Sequence, residues 1–213
     1  MPLIFSRIRN VLFLVSAVSL LCACSTATGP GTRFYVLTPL DPGAALTSDM
    51  DRKGTLSVEV ASLHLPQYLE RPQIVTRSSK NRLELAEYHQ WGGNLRKNMM
   101  RVLALNLSRL LATPHIVIYP YRPSISTDFR VELEVMRFER DFDGKVRLSA
   151  QWRLLSGKDR KPLKTRIAEL ESTVSSEKGD FEDTISAMSK LFGELSQIIG
   201  GAILKQLSER PDN

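Results

Sequence analysis

The sequence predicts an α/β (α+β) fold in a single domain: a mixed β-sheet with an antiparallel meander, carrying two long amphipathic helices. Three observations predict it. About seven segments have the apolar–polar alternation or the β-branched run of a strand, and three of these follow one another from Phe129 to Ser175 with only short turns between them. Two stretches, from Trp91 to Ala112 and from Phe181 onward, repeat their apolar residues at helical spacing. No linker between these elements is long enough to divide the chain.

In chain order, Arg33–Thr38 is rich in aromatic and β-branched residues and closed by Pro39, the pattern of a first strand. Pro42 to Gly54 reads as a loop. Leu56, Val58 and Val60 alternate through the strand Thr55–Leu63, and Leu65-Pro-Gln-Tyr-Leu-Glu-Arg-Pro72 interrupts the pattern with two prolines. Gln73–Arg77 and Arg82–Glu87 read as paired strands around the turn Ser78–Asn81. The helix from Trp91 to Ala112 gathers Leu95, Met99, Val102, Leu103 and Leu110 on one face, and Pro114 ends it. His115–Tyr119 is almost continuously apolar, as expected of a central strand. Phe129–Val135, Val146–Leu154 and Lys164–Ser175 form the meander, turning at Asp141–Gly144 and Ser156–Pro162. Asp180 is a helix N-cap. Behind it Phe181, Ile185, Met188, Phe192, Leu195, Ile199 and Ile203 form a narrow stripe, interrupted late by Gly200-Gly201, where either a neighbour packs closely or the helix bends.

Before the domain the chain carries an export signal. Arg7 and Arg9 precede the apolar run Val11 to Ala23, which is shorter than the roughly 20 residues of a spanning helix and has the arrangement of a cleaved signal peptide. Leu21-Cys22-Ala23-Cys24 resembles a bacterial lipobox, with Leu at −3 and a small residue at −1 before Cys24. Cys22 does not fit, because Leu21 would then occupy −1. The expectation is a chain cut before Cys24 that carries a diacylglycerol and an N-acyl chain on that residue, and no other cofactor. Two or three acyl chains hold a protein firmly to a membrane where one does not. A chain beginning at Cys24 has no second cysteine to pair with. Ser25, rather than an Asp, follows Cys24 and favours the inner leaflet of the outer membrane of a Gram-negative bacterium. The tether Ser25–Thr32 spans at most about 28 Å when fully extended. The domain is expected from 33 to 208, with a short disordered tail at 209–213.

Composition and motifs narrow the function. The chain has 29 Lys+Arg against 23 Asp+Glu, and loss of Arg7 and Arg9 lowers the formal charge from +6 to +4. That excess suits an anionic membrane surface but lacks the clustered stripe of a nucleic-acid binder. There is no Gly-x-Ser-x-Gly, His-Glu-x-x-His, Gly-x-x-x-x-Gly-Lys or Cys-x-x-Cys. His64, His89 and His115 are isolated, and Asp141-Phe-Asp-Gly144 lacks the remaining ligands of a calcium loop. The expectation is a protein that is not an enzyme, with no catalytic or metal-binding residues. Pro66, Tyr68, Leu69 and Arg71 on the proline-stiffened connection, with Trp91 beyond it, are the expected partner-binding residues. Trp91 is also a candidate core anchor, and the connection a candidate for packing on its own domain.

Together these residues resemble the PqiC/YmbA family of lipoproteins. The resemblance runs from the lipobox at Cys24 and Phe34-Tyr-Val-Leu37 through Leu65-Pro-Gln-Tyr-Leu-Glu-Arg-Pro-Gln-Ile-Val-Thr-Arg77. It continues through Asn81-Arg-Leu83 to Glu87 and Trp91, Leu103-Ala-Leu-Asn-Leu107, and Ala187-Met-Ser189 with Leu195 in the closing helix. The Tyr-Leu-x-Arg-Pro-Gln-Ile-Val block is its most specific part, and Gly92-Gly93 and Gly200-Gly201 depart from it. The resemblance implies a non-enzymatic auxiliary component of an MCE (ABC-linked) lipid-transport system. Its partners would be a PqiB-like MCE protein anchored in the inner membrane and the inner leaflet of the outer membrane, and its assembly a homo-oligomeric ring matching the partner's tunnel. An assembly lipoprotein for outer-membrane proteins or lipopolysaccharide is the alternative.

Overall fold

The computed structural model describes residues 31–46, 56–120, 126–174 and 180–209. Cys22, Cys24, the signal segment, most of the tether and the tip of the loop after Pro42 lie outside the described residues. The elements are β1 (Arg33–Tyr35), β2 (Val58–His64), β3 (Gln73–Ser79), β4 (Arg82–Trp91), α1 (Leu95–Leu111), β5 (Ile116–Ile118), β6 (Phe129–Arg140), β7 (Lys145–Ser156), β8 (Pro162–Thr173) and α2 (Phe181–Ser208).

Strand β6 organises the eight-stranded mixed sheet. Along one edge it pairs antiparallel with β7, and β7 in turn with β8, completing the expected meander. Along the other edge it pairs first with β2, parallel from Phe129 to Glu134, and then at its far end with β3 through Thr76 and Arg140. Beyond β2 lies β5, and beyond β3 lie β4 and then β1. The alternation stops at Val135 because a bulge between Val135 and Arg137 inserts a residue. The parity of the core-facing positions thereby shifts, so that Phe138 joins the core beside Leu148 while Glu139 turns to the opposite face beside Arg147, where it is buried as well.

Both helices cover the same face of the sheet. Helix α2 lies across β7 and β8, α1 lies across β2 and β5, and the helices pack on each other. Every residue of the α2 stripe from Ile185 to Ile203 is buried, each such side chain contributing about 1.5–3 kcal/mol by leaving water. Gly200 sits where a Cβ would lie 3.5 Å from Leu110 of α1, so the helices approach closely there and α2 runs on unbroken, while Gly201 faces open space. Asn106 joins the helices inside the core: its Nδ2 donates to Ser196 Oγ (3.0 Å), and its Oδ1 accepts from the Leu40 amide (2.8 Å).

Two expectations are corrected. Trp91 is the last residue of β4 rather than the first of the helix, because Gly93 adopts φ +149°, accessible to glycine, and Asn94 caps α1 by accepting from the Lys97 amide. The apolar strand β5 is at an edge of the sheet rather than its centre, pairing among the described residues only with β2. Its apolar character is matched by the cover that α1 provides.

Candidate functional site

The proline-bounded connection folds as a single 3-10 turn at Gln67–Leu69, closed by the Leu69 amide donating to Pro66 O (2.9 Å). Three ties fix it to the domain. Leu69 is buried among the core residues. The Trp91 amide donates to Pro72 O at 2.7 Å, and the Trp91 side chain is itself in the core. The Tyr68 hydroxyl donates to Glu139 Oε2 at 2.9 Å.

Glu139 is fully buried, and four groups donate to it: Tyr68, Arg77 Nε (3.1 Å), Arg137 Nε (2.8 Å) and the Phe138 amide (3.0 Å). A buried carboxylate is tolerated only with such satisfaction. Burial, and then the adjacent Glu139 charge, push the Tyr68 phenol far above its ordinary range, so it stays a neutral donor. The network continues outward. Arg137 Nη2 bonds Asp141 Oδ2 at 2.5 Å, and Arg147 joins Asp141 to Asp143, with Nη2 to Asp143 Oδ2 at 2.5 Å. Glu171 of β8 closes the chain with Lys145 at 2.6 Å and Arg147 at 3.4 Å. The hydrogen bond from Arg147 holds the Asp143 carboxyl down to about 2. The Asp141–Gly144 sequence is therefore a hairpin turn whose carboxylates are engaged by arginines, with Gly144 at φ +80°.

These ties leave Gln67, Glu70, Arg71 and Pro72 exposed and Pro66 half-buried. Glu70 lies 4.0 Å from Arg96 of α1, and Arg71 has no ion-pair partner among the described residues. The structure thus brings Tyr68, Leu69 and Trp91 together on the inner side of one turn and sets Pro66 and Arg71 on its outer side. Glu139 and Arg137 are the members that sequence reasoning missed. The dense charges from Arg137 to Arg147 were their signal, but the cover that buries Glu139 comes from Tyr68 and Arg77, far earlier in the chain.

The histidines lie apart. His64 lines a shallow 190 Å³ hollow on the open face of the sheet with Glu132, Glu134 and Arg153. His89 Nδ1 is 2.8 Å from the Tyr35 hydroxyl, and its ring stacks on Phe181 at 4.0 Å. His115 is exposed. Among the described residues, no cluster of three or more His, Cys, Asp or Glu is arranged to hold a metal ion, and no helix is long and apolar enough to cross a membrane.

The fold defines the class: a two-layer α+β domain with both helices on one face of a mixed sheet. The sequence matches the family model of the ABC-type transport auxiliary lipoprotein component over residues 35–200, and the chain belongs to that family. Its fold is similar to that of protein XCC0632 from Xanthomonas campestris, with a TM-score of 0.66 at 16% identity, covering 84% of this chain and 100% of the other. It is also similar to a crystal structure described only as an uncharacterized protein, with a TM-score of 0.64 at 20% identity, covering 82% and 99%. No curated protein matches the sequence.

Proposed function

We propose that the chain is the outer-membrane lipoprotein of an MCE-type intermembrane lipid-transport system. In this reading Cys24 carries the acyl chains, the domain hangs from the inner leaflet, and it captures the end of a tunnel formed by a PqiB-like protein anchored in the opposite membrane. Lipid passes between tunnel and leaflet without covalent change, so the domain's task is docking and not catalysis. A ring of several copies would match a ring-shaped tunnel.

The observation that carries the docking role is the turn at Pro66–Pro72. It is fixed at three points and lies on the surface, so a partner meets a preorganised shape at low entropic cost. Because Tyr68 and Leu69 hold the turn from inside, they set its shape, and Gln67, Glu70 and Arg71 provide the contacting side chains. Family membership in the auxiliary lipoproteins supports the transport setting, and the lipobox supports the anchor.

The test is co-purification from detergent-solubilised membranes. Arg71→Glu combined with Gln67→Ala should reduce recovery of the MCE protein while thermal stability is unchanged, since both side chains are exposed. Unchanged recovery would remove the turn as the contact.

A further inference from the structure

We propose that the surface formed by β1, the segment after it and the outer flank of α1 rests on the anionic phospholipid leaflet that holds the anchor, inserting Phe34, Val36 and Leu105 at the interface and setting Arg33, Lys97 and Arg101 against lipid phosphates. The inference rests on the anchor reading above and adds which face of the domain meets the membrane.

Among the described residues, strand β1 is an edge strand bonded only to β4. Tyr35 points into the core, so Phe34 and Val36 point the other way, and they are 67% and 53% exposed. Leu105 of α1, 49% exposed, lines with Val36 an open groove of about 340 Å³ that also includes Gly93, Asn98 and Arg101. Gly92 underlies the patch: a Cβ there would meet Val36 Cγ1 at 3.2 Å. The patch is rigid, because the Leu37 amide donates to Asn98 Oδ1 (2.9 Å) and the Leu40 amide to Asn106 Oδ1 (2.8 Å), fastening the segment along α1. A grouped set of exposed large apolar side chains with a polar rim marks a surface that is covered by something.

Charge and chain length say what covers it. Helix α1 carries Arg96, Lys97, Arg101 and Arg109 and no carboxylate, including in its first turn, where the helix dipole would favour acids. Lys97 and Arg101 are one turn apart and exposed, and Arg33 opens β1. Cations beside an apolar face are the composition that binds a phospholipid interface, each adding about fivefold to its affinity for an anionic surface. Eight residues separate Cys24 from Arg33, so Arg33 lies within about 28 Å of the leaflet even with the tether fully drawn out. The first strand beyond the tether opens this patch.

The experiment uses the full chain with its anchor, reconstituted in vesicles of phosphatidylethanolamine with phosphatidylglycerol. A nitroxide is placed by Val36→Cys or, as a control on the exposed β7–β8 turn, by Lys158→Cys. Flotation with the vesicles reports the anchor, and collision of the label with dissolved oxygen or a water-soluble nickel chelate reports the face. The expected result is that position 36 loses collision with the chelate and keeps collision with oxygen, whereas position 158 remains open to both. Adding Arg33→Glu, Lys97→Glu and Arg101→Glu should return position 36 to the chelate while the chain still floats and its circular dichroism is unchanged. A chain that floats with position 36 as open to the chelate as position 158 overturns the patch alone. Position 36 closed to both reagents overturns it in favour of a protein contact. A chain that does not float overturns the anchor reading and the tether argument with it.

Discussion

The two sides of strand β6 are held by different physics. On the β7–β8 side, three twelve-residue strands pair along almost their whole length, and α2 lays an apolar stripe over them, so position is fixed by many interchangeable contacts. On the other side at its far end, β3 pairs with β6 through Thr76 and Arg140, and the adjoining turn is held by the Tyr68 hydroxyl on Glu139, the Trp91 amide on Pro72 and the buried Leu69. The first arrangement is a scaffold that averages over substitutions, and the second is a placed feature that single side chains specify. Docking surfaces need the second kind, because a partner reads the position of a few atoms.

Removing apolar volume from the scaffold should have the largest effect. Phe192 is fully buried beside Phe138, with ring centroids 6.2 Å apart, and Phe192→Ala should lower stability by about 3–5 kcal/mol in denaturant titration. Loss below about 1 kcal/mol would mean that α2 is not the cover of the meander. On the other side, Glu139→Gln keeps the shape and removes the charge that Arg77 and Arg137 face. Breaking a fully buried pair costs about 3–5 kcal/mol. Here the arginines remain 19% and 27% exposed, so water screens the loss and about 2 kcal/mol is expected. The sharper signature is local, with amide exchange rising at Tyr68–Glu70 more than in β7.

Smaller effects refine the contrast. Asn94→Ala removes the cap that follows the Gly92-Gly93 break and should cost about 1 kcal/mol, read as a lower melting temperature. Acid should act on the ionic network that runs from Glu139 to the β6–β7 turn. The Asp143 carboxyl sits at about 2 in the folded chain, below the roughly 3.9 of an unfolded aspartate. The unfolded chain therefore takes up the proton first as pH falls. The contribution is complete above the unfolded value and is lost as pH drops toward 2. Asp143→Asn should flatten the melting temperature against pH in that window, and an unchanged slope would show that Arg147 does not hold the carboxylate.

What the sequence made legible follows the same division. The meander, the Asp180 cap and the α2 stripe are periodic or local features, and the structure places them where the periodicity does. The edge position of β5 was hidden because an apolar run signals cover on both faces and not the number of paired neighbours. Trp91 read as helical because apolar spacing continues across its boundary, while the break depends on Gly93 and the Asn94 side chain. The turn at Pro66–Pro72 stood out through its prolines. Packing of Tyr68 and Leu69 on their own domain was one of the two readings open, and the partners that decide it, Glu139 and the core, lie far along the chain.

In the proposed function this turn receives an MCE partner from the opposite membrane. The most direct measurement is a photo-crosslinking amino acid at position 71 of the lipidated chain, activated in intact cells, with mass spectrometry of the adducts. Docking at the turn predicts an adduct with the PqiB-like protein that a control at position 158 does not give. Adducts at position 71 only with outer-membrane assembly proteins, or the same adducts from both positions, would contradict it.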